Sequence, residues 1–401
     1  MDNRPFTVRL FNTFVPAVTT FYKDLVPYWE ALGWRVEVVV SRAEYRAGRS
    51  KAWMSPETQV RWTTSFGMDA QGRLSKLIIM LTYIVSAAFY SLFGAHADRN
   101  LFITHPPLFY LWGYILRLLR KEPYYVVLMD LYPEVAIQDG LFAEGSFMAR
   151  FLSRVAHFGL KNADGVFVIG RCMHELVLEI GVEAERIHFI PNWGDQDAIQ
   201  RVPTEQIQFR EEQGWQEKFV VLYSGNIGTS HYFDDVLEVA RRLQERSDLL
   251  FVFIGHGHRR KEIEAYKDLH QLDNIELLPF QPQDRLPVTL SAGDLHFVSL
   301  REGFAGLVVP SKIYGIMAAG RPTLYQGVSW GELALMIDEE ACGCVAPLAD
   351  PDQLQSLLLA YLRDADMLRR QGEKARRLIE GRYGTIHACE SYTAVLARQL
   401  S

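Results

Sequence analysis

From Thr7 onward the chain alternates short runs of β-branched and aromatic residues with longer helical patterns, and near its midpoint the alternation starts again. Alternation of this kind builds parallel sheets with helices on their faces, because parallel neighbours need a crossover that a helix supplies. In the first half the pattern predicts strands at TVRLF (7–11), 35–41, 100–104, 124–129, 165–170 and 187–191. Helices are expected over 20–32, 77–93, 108–120 and 147–161. The second half predicts strands over 218–225, 249–255, 274–280, 294–300 and 321–327, each feeding a loop and a helix. A polar stretch without a clear period, 192–215, lies between the halves. At 401 residues the chain is longer than one core usually spans, so two α/β domains are expected, over 1–195 and 196–384. A last helical pattern, 385–399, is placed to cross back to the first domain.

Charge and cysteine content narrow the function. A net charge of -6 argues against general nucleic-acid binding, which needs a basic face. Cys172, Cys342, Cys344 and Cys389 have neither disulfide nor zinc spacing, which points to a reducing compartment, and Cys342-Gly343-Cys344 reads as a glycine turn after a helix. The opening MDNRPFTVRLF passes directly into a strand, with no secretion leader visible. One segment is unusually apolar: LIIMLTYIVSAAFYSLF (77–93) holds 17 residues without a charge, the lower edge of a membrane-spanning length. Polar interruptions at Thr82, Ser86 and Ser91 favour a buried or interfacial helix. Its approach is basic, with Arg42, Arg46, Arg49, Lys51, Arg61, Arg73 and Lys76 against Glu44, Glu57 and Asp69, or +4 locally. That balance suits either a solvated loop or a patch facing anionic lipid.

The residues that carry chemistry sit in loops after predicted strands. Gly225-Asn226-Ile227-Gly228 follows the first strand of the second half, and Gly255 and Gly257 follow the next, running into Arg259-Arg260-Lys261. Glycines there let backbone turn tightly and approach a ligand closely. Lys261 reads as a solvated helix residue. Further on, EGFAGLVVPSKIYGIMAAGRP (302–322) sets Pro310, Ser311 and Lys312 at the start of a short apolar helix that stops at Gly320. A lysine at a helix start opposes the helix dipole, and the placement is explained if an anion docks there, held also by free N–H groups.

These runs, with THPPLFY (104–110), MDLYPE (129–134) and KNADGVFVIG followed by IPNWGD, together resemble the family-4 retaining glycosyltransferases, in particular the bacterial branch of O-antigen, capsule and exopolysaccharide assembly. The likeness covers nearly the whole chain. It implies the GT-B fold, an α/β architecture of two Rossmann-like domains facing each other across a cleft. It further implies a nucleoside diphosphate sugar, taken as a UDP-sugar, held mainly by the second domain, with no cofactor and no catalytic metal. By position, Lys312 and Arg259 would hold the diphosphate, helped by N–H groups near Gly225 and Ser311. Asn226, Gly228, Gly255, Gly257, Phe280 and Gly306 would complete the donor site. Glu302 matches the first glutamate of the family's paired-glutamate motif, which contacts donor sugar hydroxyls. His105 and Asp130, with Glu302 and Lys312, form the implied catalytic set, and Tyr132 and Glu134 the implied acceptor site. The chain departs from the pattern twice. Asn226 stands where many members carry charge, and the motif's second glutamate falls on Gly315 or Ser311, so no carboxylate is assigned to the ribose.

The expected reaction moves a sugar to a lipid-linked saccharide acceptor at the cytoplasmic membrane face. Fixed cations and N–H donors aimed at the departing diphosphate would stabilise the transition state more than the ground state. A UDP-sugar 2-epimerase of the same fold and a catalytically silent relative that binds a nucleotide sugar stand as alternatives. Asp195-Gln196-Asp197 fits a D-x-D metal signature, but its place between the halves reads as a turn.

Overall fold

In the computed structural model, residues 5–13, 20–41, 58–63, 73–202 and 207–398 are described. The chain forms two compact units: residues up to Pro191 together with those from Ala388 onward, and Asn192–His387.

The first unit holds β1 (Thr7–Phe11), α1 (Thr20–Ala31), β2 (Arg35–Ser41), β3 (Gln59–Thr63), α2 (Arg73–Phe93), β4 (Arg99–Ile103), α3 (Tyr110–Arg120), β5 (Tyr124–Leu128), α4 (Glu134–Gln138), α5 (Phe147–Lys161), β6 (Gly165–Val168), α6 (Arg171–Ile180) and β7 (Ile187–Phe189). Its seven strands pair in the order β3-β2-β1-β4-β5-β6-β7, all parallel. β1, β4 and β5 are buried throughout, as expected of central strands covered on both faces. The order reverses at β1/β4, the switch point beside which α/β sheets bind ligands. A charge cluster with a fully buried centre at Arg9, Glu37, Asn100 and Glu122 ties the sheet to its helices. Arg9 donates to Glu37 (3.0 Å), Glu122 (3.1 Å) and Asn100 (3.2 Å), and Arg120 reaches Glu122 at 2.8 Å. α5 starts at Ser146, whose hydroxyl accepts from the Ala149 N–H.

The second unit contains α7 (Gln208–Gln213), β8 (Phe219–Ser224), α8 (Asp234–Arg242), β9 (Leu249–Ile254), α9 (Arg260–His270), β10 (Ile275–Leu278), α10 (Leu286–Ser291), β11 (Leu295–Ser299), α11 (Lys312–Ala318), β12 (Thr323–Gln326), α12 (Glu332–Glu340), β13 (Gly343–Ala346), α13 (Pro351–Arg363) and α14 (Ala365–Glu380). Its parallel sheet runs β10-β9-β8-β11-β12-β13, with the reversal at β8/β11. The last helix, α15 (Thr385–Leu396), returns to the first unit from Ala388 onward. There Trp29 Nε1 donates to Thr393 Oγ1 at 2.9 Å, and the Tyr392 ring lies 4.7 Å from that of Phe167.

The structure corrects the sequence reading in several places. β3 was not expected. Cys342-Gly343-Cys344 is not a glycine turn: the left-handed residue after α12 is Ala341, and Gly343 opens an edge strand. A Cβ at Gly343 would lie 2.0 Å from the Thr323 carbonyl, so glycine serves strand pairing there. The apolar helix begins at Arg73 rather than 77, and α3 begins at Tyr110. Of the basic approach, Arg42, Arg46, Arg49, Lys51, Glu44, Glu57 and Asp69 lie outside the described residues. Among the described residues no helix is long and apolar enough to cross a membrane.

Candidate active site

In the second unit the loops after β8, β9 and β11 interlock at the C-terminal edge of the sheet. Ile227 N–H donates to the His256 carbonyl at 2.9 Å and Arg259 N–H to the Ile227 carbonyl at 3.1 Å. Gly255 and Gly257 make this approach possible. A Cβ on Gly255 would stand 1.9 Å from the Gly225 carbonyl oxygen, and one on Gly257 2.1 Å from that of Ile227. Both glycines, like Gly225, have positive φ, at 144°, 157° and 139°. The β11 loop joins the same assembly where Arg301 N–H donates to the Ser230 carbonyl at 2.8 Å.

Lys312 reaches into this assembly from α11. Its Nζ lies 2.5 Å from Tyr223 Oη, 3.8 Å from the centroid of the Tyr223 ring, and 3.2 Å from His231 Nε2. Tyr223 in turn donates to the Asn226 carbonyl at 2.6 Å, and its ring sits on β8, immediately before the glycine loop. The geometry fixes the state of His231. Its Nδ1 is 2.6 Å from the Ser299 carbonyl and must donate, which leaves Nε2 as the acceptor for the lysine. Burial, and next the neighbouring Lys312 charge, hold its pKa down at about 3, so it is neutral at ordinary pH. Burial also pushes Lys312 well below the usual lysine range. Among the described residues no carboxylate pairs with Lys312. The Gly225 loop passes against its stem, since a Cβ at Gly225 would be 3.4 Å from Lys312 Cε.

The other expected donor-site residues are distributed as follows. Arg259 is on the same loop edge but already engaged, with Asp234 at 2.9 Å, Glu262 at 2.7 Å and the His231 carbonyl at 2.7 Å. Glu302 is exposed on a short 3-10 turn after β11, and Gly306, left-handed with φ 80°, closes the turn that follows. Phe280 is 53% exposed beyond β10, edge-on to His256 at 5.5 Å. Ser311 precedes α11 with an exposed side chain. Among the described residues its hydroxyl makes no capping bond, so the start of α11 has no side-chain cap. The opposite end is closed, by Gly320 N–H to Met317 and Arg321 N–H to Ile316. Neither Gly315 nor Ser311 supplies a carboxylate. Lys261 is exposed, and Asp195 Oδ1 accepts from the N–H groups of Asp197 and Ala198, a turn.

In the first unit the loops after β4 and β5 bring together His105, Asp130 and Tyr132. Thr104 Oγ1 donates to the Val127 carbonyl (3.1 Å) and accepts from Met129 N–H (2.9 Å), which locks the two loops to each other. The His105 and Tyr132 rings meet edge to face at 6.1 Å. Desolvation raises the Asp130 carboxyl to about 6 and lowers the His105 pKa. Tyr132 is raised to about 12, chiefly by burial and then by Asp130. Glu134 is drawn away from this trio, with Oε1 3.1 Å from His157 Nε2 on α5.

Sequence reasoning missed Tyr223 and His231. Tyr223 lies inside an apolar strand run, and a single histidine in a loop has no spacing to mark it. Only folding sets both around Lys312.

Comparison with known proteins decides the family. Residues 17–193 match the glycosyl transferase 4-like domain, and residues 205–378 match the glycosyl transferases group 1 family. The chain belongs to the group 1 (GT4) glycosyltransferases. The epimerase alternative falls with that assignment. The chain is 31% identical over 239 residues to the putative colanic acid biosynthesis glycosyl transferase WcaI of Escherichia coli (strain K12), a match covering 59% of this chain and 58% of that one. It is 28% identical over 298 residues to the probable glycosyltransferase WbjE of Pseudomonas aeruginosa, 74% of each. The chain thus spans a little over half the length of the first relative. Its fold is GT-B. The crystal structure of Anabaena HepE in complex with UDP and glucose matches 98% of this group 1 chain and 100% of that one, with a TM-score of 0.74 and 14% identity. WaaG, a glycosyltransferase involved in lipopolysaccharide biosynthesis, matches 98% and 100% at a TM-score of 0.68 and 17% identity.

Proposed function

We propose that this chain transfers a sugar from a UDP-sugar, with retention of configuration, to a lipid-linked saccharide acceptor during surface polysaccharide assembly. Unit 2 holds the donor and unit 1 the acceptor. The observation that carries the reading is Lys312, a lysine with no carboxylate partner among the described residues, enclosed by two interlocked glycine loops at the switch point of a parallel sheet. Such a cation lacks its anion, and the leaving UDP supplies one. As the bond from C1 of the sugar to the diphosphate breaks and the acceptor oxygen bonds to C1, negative charge grows on the diphosphate. Lys312 and loop N–H groups near Gly225 and Ser311 stabilise it there, a metal-independent arrangement. The acceptor hydroxyl loses its proton in the same process, to the Asp130 carboxylate. Glu302 is assigned to donor sugar hydroxyls and Phe280 to the donor's base. His105 and Asp130 are assigned to catalysis, and Tyr132 and Glu134 to the acceptor. Arg259 acts by holding the two loops together, since its guanidinium is already paired, and it reaches phosphate only by exchanging those partners.

A membrane-surface location is supported by apolar side chains left exposed on three neighbouring helices. α2 exposes Val85, Phe89 and Phe93, α3 exposes Leu118 and Leu119, and α5 exposes Phe147 and Phe151. α3 packs against both α2 and α5. A soluble surface seldom groups so many large apolar residues without a partner or a lipid interface. The four free cysteines suit the cytoplasmic face.

The test is turnover of a UDP-sugar panel by the purified chain, with and without lipid-linked saccharide, together with calorimetric titration by UDP, GDP and ADP. Acceptor-dependent release of UDP is expected. Equal release without acceptor, or failure of all three nucleotides to bind, would overturn the proposal.

A further inference from the structure

A pocket of about 300 Å³ lies outside the site just described, between α4 and the first half of α5, lined by Ile137, Gly145, Arg150, Ser153, Arg154 and His157, with Ala149 at its wall. Arg150, Ser153, Arg154 and His157 are spaced i, i+3, i+4 and i+7, which sets all four on one stripe of the helix. Both arginines are exposed, and neither side chain has an ion pair or hydrogen bond among the described residues. His157 is held at one end of the stripe by Glu134 (3.1 Å), whose other oxygen, Oε2, is buried without a partner among the described residues. Asp139 and Glu144 are close in sequence but do not line the pocket. Its charged lining is therefore basic.

A second stripe of the same helix carries Phe147, Phe151 and Phe158, 77%, 50% and 47% exposed, with the first two rings stacked at 6.4 Å. Ala149, Ala156 and Leu160 form a third, buried stripe. At 3.6 residues per turn the aromatic stripe lies roughly a quarter turn from the basic one. When the aromatic ridge enters the headgroup–acyl boundary of a membrane, the basic pocket faces along the membrane plane at headgroup depth. Phosphate is the anion found at that depth. Two arginines with an added serine hydroxyl suit its several oxygens. The opposite wall of the pocket, Ile137, belongs to the short helix that begins directly after Asp130 and Tyr132.

We propose that this pocket binds the diphosphate of the lipid-linked acceptor, while the Phe147–Phe151–Phe158 ridge sits in the bilayer. The lipid is thereby anchored one short helix away from Asp130 and Tyr132. This inference rests on the proposed acceptor class and names a further binding site for it.

The experiment uses the full chain and vesicles of phosphatidylcholine carrying either a polyprenyl diphosphate or phosphatidylglycerol at equal total charge. Wild type is expected to prefer the polyprenyl diphosphate vesicles. Arg150→Gln/Arg154→Gln should bind them about 30-fold more weakly, the loss of two basic contacts at an anionic surface, and lose the preference. Phe147→Ser/Phe151→Ser should weaken binding to both vesicle types alike. Calorimetric UDP affinity should be unchanged in every variant, which also reports folding. Equal binding of wild type to the two vesicle types would assign the pocket to bulk anionic lipid and overturn the proposal, as would an intact preference in the arginine variant. Equally tight binding of free inorganic pyrophosphate without vesicles would overturn its lipid origin. Failure of UDP to bind, with the vesicle preference intact, would refute the proposed function and leave the pocket standing.

Discussion

Replacing Lys312 by methionine separates a binding cation from a structural one. In the free protein the ammonium is supported by a tyrosine hydroxyl, an aromatic face and a neutral imidazole, and by no carboxylate among the described residues. Methionine keeps most of the stem packing. Tyr223 retains the bond it donates to the Asn226 carbonyl, while its oxygen and His231 Nε2 each lose the lysine as a donor, a cost of about 1 kcal/mol apiece. Removing a poorly solvated charge offsets that cost, and the net change in stability is expected to stay within about 1 kcal/mol. UDP, in contrast, loses a charge-assisted contact of about 1.5–3 kcal/mol, so its affinity falls roughly 10- to 100-fold. Transfer slows by about 3–4 kcal/mol, or 10²–10³-fold. The pH dependence gives a further readout. Because the folded-state pKa of Lys312 lies below its unfolded value, the unfolded chain holds the extra proton between the two. Wild-type stability therefore gains from this group as pH rises through that window toward 10.5, and the variant lacks the gain. Binding a diphosphate draws the proton back, so wild-type titrations above the depressed pKa should take up a proton, seen as a heat that depends on the buffer. Thermal unfolding and calorimetry in two buffers measure all of this. A variant that loses several kcal/mol of stability and binds UDP as wild type does would show that Lys312 is a structural strut.

Gly255→Ala and Gly257→Ala each drive a Cβ to about 2 Å from a carbonyl of the neighbouring loop and occupy positive φ. Each should cost about 1–3 kcal/mol in unfolding experiments and abolish detectable UDP binding. Asp130→Asn should lower kcat by about 10²–10⁴-fold. It should also remove an acid limb near pH 6 from the wild-type rate profile, since activity requires the carboxylate that forms above about 6. Arg9→Met leaves Glu37 and Glu122 buried beside each other without their shared cation. Denaturant unfolding of the first unit should show a loss of about 3–5 kcal/mol.

The sheets were legible because their central strands are uninterrupted apolar runs, such as FVVLY and LLFVFI, that water cannot solvate in any other arrangement. Edge strands were not. QVRWT carries polar residues and pairs on one side only, and β13 begins at a glycine that sequence alone reads as a turn. The glycine loops and Lys312 were visible because backbone crowding and a cation at a helix start leave a mark in local sequence. The partners of Lys312 left none, since Tyr223 and His231 lie 89 and 81 residues away and reach it only through the pairing of β8 with β11. Arg259 was visible as a cation, but its commitment to Asp234 and Glu262 is a property of the folded loop.

The return of residues from Ala388 onward to the first unit sets an order of assembly. Protein synthesis usually lets the leading domain fold first. Here that domain waits with Phe21, Trp29 and Phe167 uncovered until Tyr392 and Thr393 arrive, and Arg99 has no Leu396 carbonyl to hold until then. The second unit, continuous in sequence, can finish its sheet while the first is still open. Removal of α15 therefore wounds the half of the molecule farthest from it along the chain. A released chain lacking the residues from Ala388 onward would present an apolar seam suited to capture by a chaperone, although its second unit is complete in sequence.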